Sequence, residues 1–215
     1  MSVLKTPLYK TDHFVDVYPP SEDTFLLLDA IESEEEFICN VVRPSLVVEI
    51  GCGSGVVSTF VGLLPGLQAQ LPVFICTDLN PNALACSSQT AQLNERPNML
   101  NFVNCNLVDA LNANNLIDVL IFNPPYVPTN EEAGDNLEHC YAGGPQGRNA
   151  VDRLLPQIPS LLSQPNGVFY LVALHQNDID QLCSSMIDKG IKGTVFTKRR
   201  CGIELLYIIK FTWIS

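Results

Sequence analysis

Basic residues are scarce in this 215-residue chain: 12 Lys+Arg stand against 23 Asp+Glu, for a net charge of −11. Gripping phosphate needs a positive footprint, so nucleic acid is an unlikely partner for a chain acting unaided. Long hydrophobic runs are also missing. None approaches the ~20 apolar residues that a helix needs to span a bilayer. Met1-Ser2-Val3-Leu4-Lys5 is not followed by the apolar core of a secretory signal. Histidine is rare, and His13, His139 and His175 share no ligand spacing, so they read as surface or packing residues. The eight cysteines include no Cys-x-x-Cys pair. Cys76, Cys86 and Cys105 fall inside apolar segments, as reduced packing thiols do, rather than disulfides or zinc ligands. No metal site is expected, and the expected location is intracellular. The lone Trp213 reads as a packing residue.

Apolar residues, by contrast, make up 47% of the chain, which is enough for a sizeable core and argues against extensive disorder. Residues 1–20 read as an N-terminal arm ended by Pro19-Pro20. Ser21 then N-caps a helix, with Glu22 and Asp23 in its first turn, that runs to about Glu36. Ser45 to Ile50 reads as a strand and Gly55 to Leu64 as a helix ended by Pro65-Gly66. A second strand, Val73 to Thr77, leads to a helix with Asn80 as N-cap and Pro81 in its first turn, running to about Leu93. Asn101 to Cys105 and Leu116 to Phe122 are the third and fourth strands. Residues 127–149 form a long loop of the kind that covers a site. Asn149 to Leu162 is helical but must kink at Pro156 and Pro159. Gly167 to Leu174 is a fifth strand, Asp178 to Lys189 a helix, and Val195–Lys198 with Ile203–Phe211 a closing antiparallel hairpin. Strand and helix alternate without repeat or linker. The pattern predicts one α/β domain, doubly wound around a mostly parallel seven-stranded sheet.

Two stretches carry chemistry. Glu49-Ile50-Gly51-Cys52-Gly53-Ser54-Gly55 joins a strand to a helix, where glycines let backbone turn sharply and approach a ligand. Alone it is a weak signal, equally a tight βα turn. The second strand ends at Asp78, an acid placed to accept two ribose hydroxyls, or else a surface cap. The second stretch is Asn123-Pro124-Pro125-Tyr126. Two prolines end the buried fourth strand in a stiff corner, because they donate no ladder hydrogen bond. Its amide side chain, carbonyls and aromatic ring can grip a planar –NH2; the bland alternative is a rigid turn.

The order of these motifs over about residues 45–130 resembles the class I S-adenosylmethionine-dependent methyltransferases. The resemblance implies that Gly51, Gly53 and Gly55 face the methionine part of the cofactor. It places Glu49 near the cofactor's amino group and Asp78 on its ribose. Where the family usually has an acid for the adenine amino group, Cys105-Asn106-Leu107 puts Asn106, whose oxygen can accept without charge. Tyr18-Pro19-Pro20-Ser21-Glu22-Asp23-Thr24 and Ala142-Gly143-Gly144-Pro145-Gln146-Gly147-Arg148 extend the likeness to the HemK-type glutamine methyltransferases, in the eukaryotic and archaeal release-factor branch. That branch methylates the glutamine of a Gly-Gly-Gln motif as a heterodimer with a small zinc-binding activator. It implies a cytoplasmic and possible nuclear enzyme in which Thr24, Asn106, Leu107 and Asn123 touch the cofactor. Asn123, Pro124, Pro125 and Tyr126 would then hold the target, with Asn123, Pro124 and Tyr126 carrying the chemistry. Pro19 stands where the branch often has Glu, which matters little if it faces solvent.

An N6-adenine methyltransferase uses a similar corner, but it needs a basic groove and room for a flipped base. A lysine target would first need its ammonium deprotonated, which Asn123 cannot do. A fold-only partner without activity is the remaining alternative. Arg148 and Asp152 are expected to form a local ion pair, and the loop from Asn130 to Arg148 to flank the substrate entrance.

Overall fold

Alternate side chains of the central strands go to opposite faces of one sheet, and both faces are buried. On β5 (Val168–Leu174), Val168, Tyr170, Val172 and Leu174 join one apolar cluster while Phe169, Leu171 and Ala173 join the other. A strand covered on both faces reads as a continuous apolar run, which is how this one looks in sequence. The computed structural model describes residues 4–129 and 140–214. Its sheet has seven strands in the order β3-β2-β1-β4-β5-β7-β6. β1 (Leu46–Ile50), β2 (Val73–Asp78), β3 (Leu100–Asn104), β4 (Val119–Phe122) and β5 are parallel. β7 (Glu204–Trp213) runs antiparallel between β5 and β6 (Ile191–Cys201). This is the expected doubly wound α/β sheet with its closing hairpin.

One face is covered by α1 (Glu22–Ser33) and α2 (Val56–Leu63), through Leu26, Leu27, Ile31, Phe60 and Val61. α3 (Pro81–Leu93) adds Ala91 to this layer. The other face is covered by α4 (Asn149–Leu154), α5 (Ile158–Leu161) and α6 (Ile179–Ser184), where Phe169 and Phe211 stack with centroids 5.3 Å apart. Each fully buried side chain of this size contributes about 1.5–3 kcal/mol relative to exposure.

Several element limits differ from expectation, each for a local reason. α1 ends at Ser33, three residues early, and a π-helical turn at Phe37–Val42 follows, closed by Arg43 at φ +52°. β4 begins at Val119 rather than Leu116. Ahead of it, Ile117 pairs with Leu162, and the Asp118 carboxylate accepts from the amides of Ser45 and Leu46. Pro156 and Pro159 divide the next helix as expected, with a 3-10 turn at Leu155–Gln157 between α4 and α5. The last helix stops at Ser184, and Ile187–Lys189 is a separate 3-10 turn. β6 is the longest departure. It begins at Ile191 because exposed polar residues suit an edge strand, and it is bulged between Val195 and Thr197. Residues 130–139 of the expected loop, with His139, lie outside the described residues.

The register positions the chemistry. Ile50 of β1 pairs with Thr77 of β2 and with Phe122 of β4. The chain therefore leaves three neighbouring strands side by side, at one end of the sheet, as the glycine loop, Asp78 and the Asn-Pro-Pro-Tyr corner. Ligands of doubly wound sheets bind at this carboxyl edge.

Candidate active site

The glycine loop turns through three left-handed residues, with φ of +62° at Gly51, +49° at Gly53 and +74° at Gly55. L side chains rarely adopt that region, so the turn depends on glycine. At Gly55 space decides as well: a Cβ would lie 2.5 Å from Cα of Ser87 on α3. The Asp78 carboxylate accepts from the amides of Gly53 at 3.0 Å and Asn80 at 2.8 Å. It thereby holds the loop and the start of α3 together, and burial pushes its pKa up. Asn80 N-caps α3 as expected, accepting from the Asn82 amide at 2.9 Å.

Glu49 is buried, and its carboxylate faces α2, where it accepts from the Ser58 amide at 2.9 Å and from the Ser58 hydroxyl. Burial raises its pKa to about 8. It braces the loop from beneath. After β3, Leu107 takes φ +50° and its carbonyl accepts from the Thr77 hydroxyl at 2.7 Å, which sets Asn106 and Leu107 beside the end of β2.

The corner holds a residue that the sequence reading did not single out. Asp23, in the first turn of α1, is 4% exposed. Its Oδ2 accepts from Asn123 Nδ2 at 3.0 Å and from the Tyr126 hydroxyl at 2.8 Å. A carboxylate only accepts, so the nitrogen of the Asn123 amide must face it. Oδ1 of Asn123 therefore points the other way, where it is sealed from water and has no hydrogen-bond partner among the described residues. Nothing among the described residues donates to the Pro124 carbonyl either. Burial, then the Asp23 charge, pushes the Tyr126 pKa far up, so the phenol stays neutral. The sequence signal for Asp23 was its place in a helix first turn, which a dipole argument explains without any role across the fold.

The Thr24 hydroxyl accepts from the Ser21 amide at 3.3 Å in a capping box at the start of α1. Pro19 is exposed, as are His13 and His175, and all eight cysteines are unpaired. Trp213 packs on the α6 side and donates to the Ser163 carbonyl at 2.9 Å. Arg148 and Asp152 pair at 2.7 Å as expected. A groove of about 490 Å³ lies among Leu67, Leu71, Phe74, Pro97 and Met99, at the opposite ends of the strands. It offers neither the carboxylate nor the orphan acceptor that marks the carboxyl edge, so it is not the reacting site.

Comparison with known proteins agrees with this geometry. The family model of the methyltransferase small domain matches residues 23–190, from Asp23 past the end of α6. Human "Methyltransferase HEMK2" is 42% identical over 204 residues, covering 93% of this chain and 91% of that one. The Schizosaccharomyces pombe "eRF1 methyltransferase catalytic subunit mtq2" is 35% identical, covering 97% and 95%. Among solved structures, E. cuniculi Mtq2 superposes with a TM-score of 0.67 at 26% identity, covering 93% and 99%. That structure is a complex with Trm112, described as methylating the translation termination factor eRF1. A family model spanning the whole site, and relatives of this identity over nearly the full length, show that the chain belongs to the methyltransferase small-domain family, among its HemK-type members.

Proposed function

We propose that this chain is an S-adenosylmethionine-dependent methyltransferase acting on the side-chain amide of a protein glutamine, that of the Gly-Gly-Gln motif in a peptide-release factor. The observation that carries the reading is the unpartnered Oδ1 of Asn123, fixed in direction by Asp23. A shielded carbonyl oxygen without a donor costs about 1–3 kcal/mol, which a bound –NH2 would offset. The Pro124 carbonyl, without a donor among the described residues, offers a second acceptor for the same group. Relatives named for eRF1 and glutamine methylation supply the substrate class.

The carboxyl edge fits the cofactor. Gly51, Gly53 and Gly55 leave the loop without side chains, and Asp78 keeps lone pairs beyond those given to Gly53 and Asn80. Asn106 and Leu107 would flank the adenine. Glu49 and Thr24 act from behind, through the loop and the helix cap. When bound, S-adenosylmethionine supplies an electrophilic methyl group on sulfur. An amide nitrogen is a poor nucleophile because its lone pair is delocalised into the carbonyl. Asn123 and Pro124 would accept its two N–H bonds and turn the lone pair out of conjugation toward the methyl. Tyr126 and Pro125 would bound the planar target. Catalysis then comes from positioning and fixed dipoles, with no base required before transfer.

The E. cuniculi complex supports a heterodimer with a small partner, which in this branch is the zinc-binding activator. A release-factor substrate implies a cytoplasmic enzyme. The test is methyl transfer by the purified chain, with and without the activator. It compares a Gly-Gly-Gln release factor, an adenine oligonucleotide and a lysine-rich histone tail. The release factor is modified, and Asn123→Ala abolishes turnover while leaving cofactor affinity within about threefold. Modification of the oligonucleotide alone would overturn the reading.

A further inference from the structure

The stretch Ala142 to Arg148 has no part in the reaction described above, yet it lies against the corner with no room to spare. The Val127 amide donates to the Tyr141 carbonyl at 2.9 Å, and the Gly143 amide donates to the Val127 carbonyl at 2.8 Å. A Cβ on Gly143 would sit 2.5 Å from the Pro125 carbonyl oxygen, and one on Gly147 would sit 2.0 Å from that of Tyr126. Gly147 also has φ +66°. Two glycines are thus needed where the loop touches the residues that follow Asn123.

What fastens them is Asn177, 2% exposed, in the turn directly after β5. Its Oδ1 accepts from the Leu174 amide at 2.6 Å. Its Nδ2 donates to the carbonyls of Tyr126 at 2.9 Å, Gln146 at 3.0 Å and Gly147 at 3.3 Å. One buried amide therefore joins the end of β5, the corner and the glycine loop. Arg148, also buried, braces this amide's own backbone. Its guanidinium donates to the Asn177 carbonyl at 3.4 Å, to the Gln181 side chain and to Asp152. Asp23 fixes the direction of the Asn123 amide from one side. Asn177 fixes the backbone three residues later from the other.

We propose that Asn177 is a positioning residue of the corner: with Gly143 and Gly147 it sets where Tyr126, and through it Asn123 Oδ1, stands relative to the glycine loop. Its effect on catalysis rests on the glutamine-methylation reading; its effect on Asn123 does not.

Asn177→Asp keeps the size and the acceptor for Leu174 but turns a carboxylate oxygen toward three carbonyls. Gly147→Ala disturbs the same contact from the loop. In the full chain with its activator, both variants should bind S-adenosylmethionine within about threefold of wild type, and kcat on the release factor should fall about 30-fold. In 15N-labelled protein, the side-chain NH2 resonance of Asn123, assigned by its loss in Asn123→Ala, should shift in both. An unmoved resonance in Asn177→Asp overturns the proposal, as does a fall in turnover matched by a fall in cofactor affinity. A variant that no longer folds also counts against it, since positioning must be separable from stability. If the wild type leaves glutamine unmodified, the functional reading fails, and the Asn123 resonance still decides the role of Asn177.

Discussion

The two halves of the carboxyl edge are finished to different degrees. In the glycine-loop half, each buried carboxyl group is answered from within the chain: Asp78 by the Gly53 and Asn80 amides, Glu49 by Ser58. In the Asn-Pro-Pro-Tyr half, Asp23 satisfies one end of the Asn123 amide and leaves the other end orphaned. A completed half keeps its shape before anything binds. An incomplete one has its strongest unmet demand where a target amide would complete it. On the proposed function, the loop half would govern affinity and stability, and the corner turnover.

Beyond Asn123 itself, the largest effect on one half alone should come from Asp23→Ala. It leaves the Asn123 nitrogen and the Tyr126 hydroxyl without the acceptor that orients both. Turnover should fall about 100-fold, about 2.7 kcal/mol of barrier, with cofactor affinity within about threefold. Steady-state kinetics on the release factor and a cofactor titration read the two quantities separately. Equal losses in both would show that the halves are one unit.

Gly55→Ala strikes the other side. The new methyl would meet Ser87 Cα at 2.5 Å in a residue held at φ +74°. Left-handed strain and overpacking together should lower unfolding free energy by about 2 kcal/mol. The shift of the urea midpoint measures it. Cofactor affinity should drop about tenfold, while kcat at saturating cofactor changes less than twofold. A variant with normal affinity and poor kcat would reverse the assignment of the halves.

How much of this was legible in the sequence follows from the range of the interactions. The loop, Asp78 and the corner are each written in consecutive residues, and strand alternation places them at one edge, so motif and periodicity reach them. Asn80 and Pro81 give the start of α3 for the same reason. Asp23 was not legible as a corner residue, because its partners lie 100 and 103 positions away. Asn177 was hidden in the same way, 51 residues from the Tyr126 carbonyl that it holds. The extent of β6 was missed because an edge strand buries little, and the Lys-, Thr- and Arg-rich pattern that follows Ile191 resembles a loop.

The smallest effect tests whether the loop half is as self-contained as its hydrogen bonds suggest. Glu49 has a folded-state pKa raised to about 8 by burial, above the ordinary value of 4.5. The folded state therefore holds a proton that the unfolded state has released. Between those two values stability must fall as pH rises, and above the folded value the loss is complete. From pH 7 to pH 8.5 the cofactor-free chain should lose about 1 kcal/mol from this group. Burial raises the Asp78 pKa in the same direction, so its contribution to the slope has the same sign. Glu49→Gln keeps an acceptor for Ser58 and removes the titration, so its urea midpoint should vary less with pH over that interval. If the variant retained the wild-type slope, Glu49 would be ionised in the folded chain at neutral pH. A neighbouring positive charge would then have to answer it, and the loop half would be as unfinished as the corner.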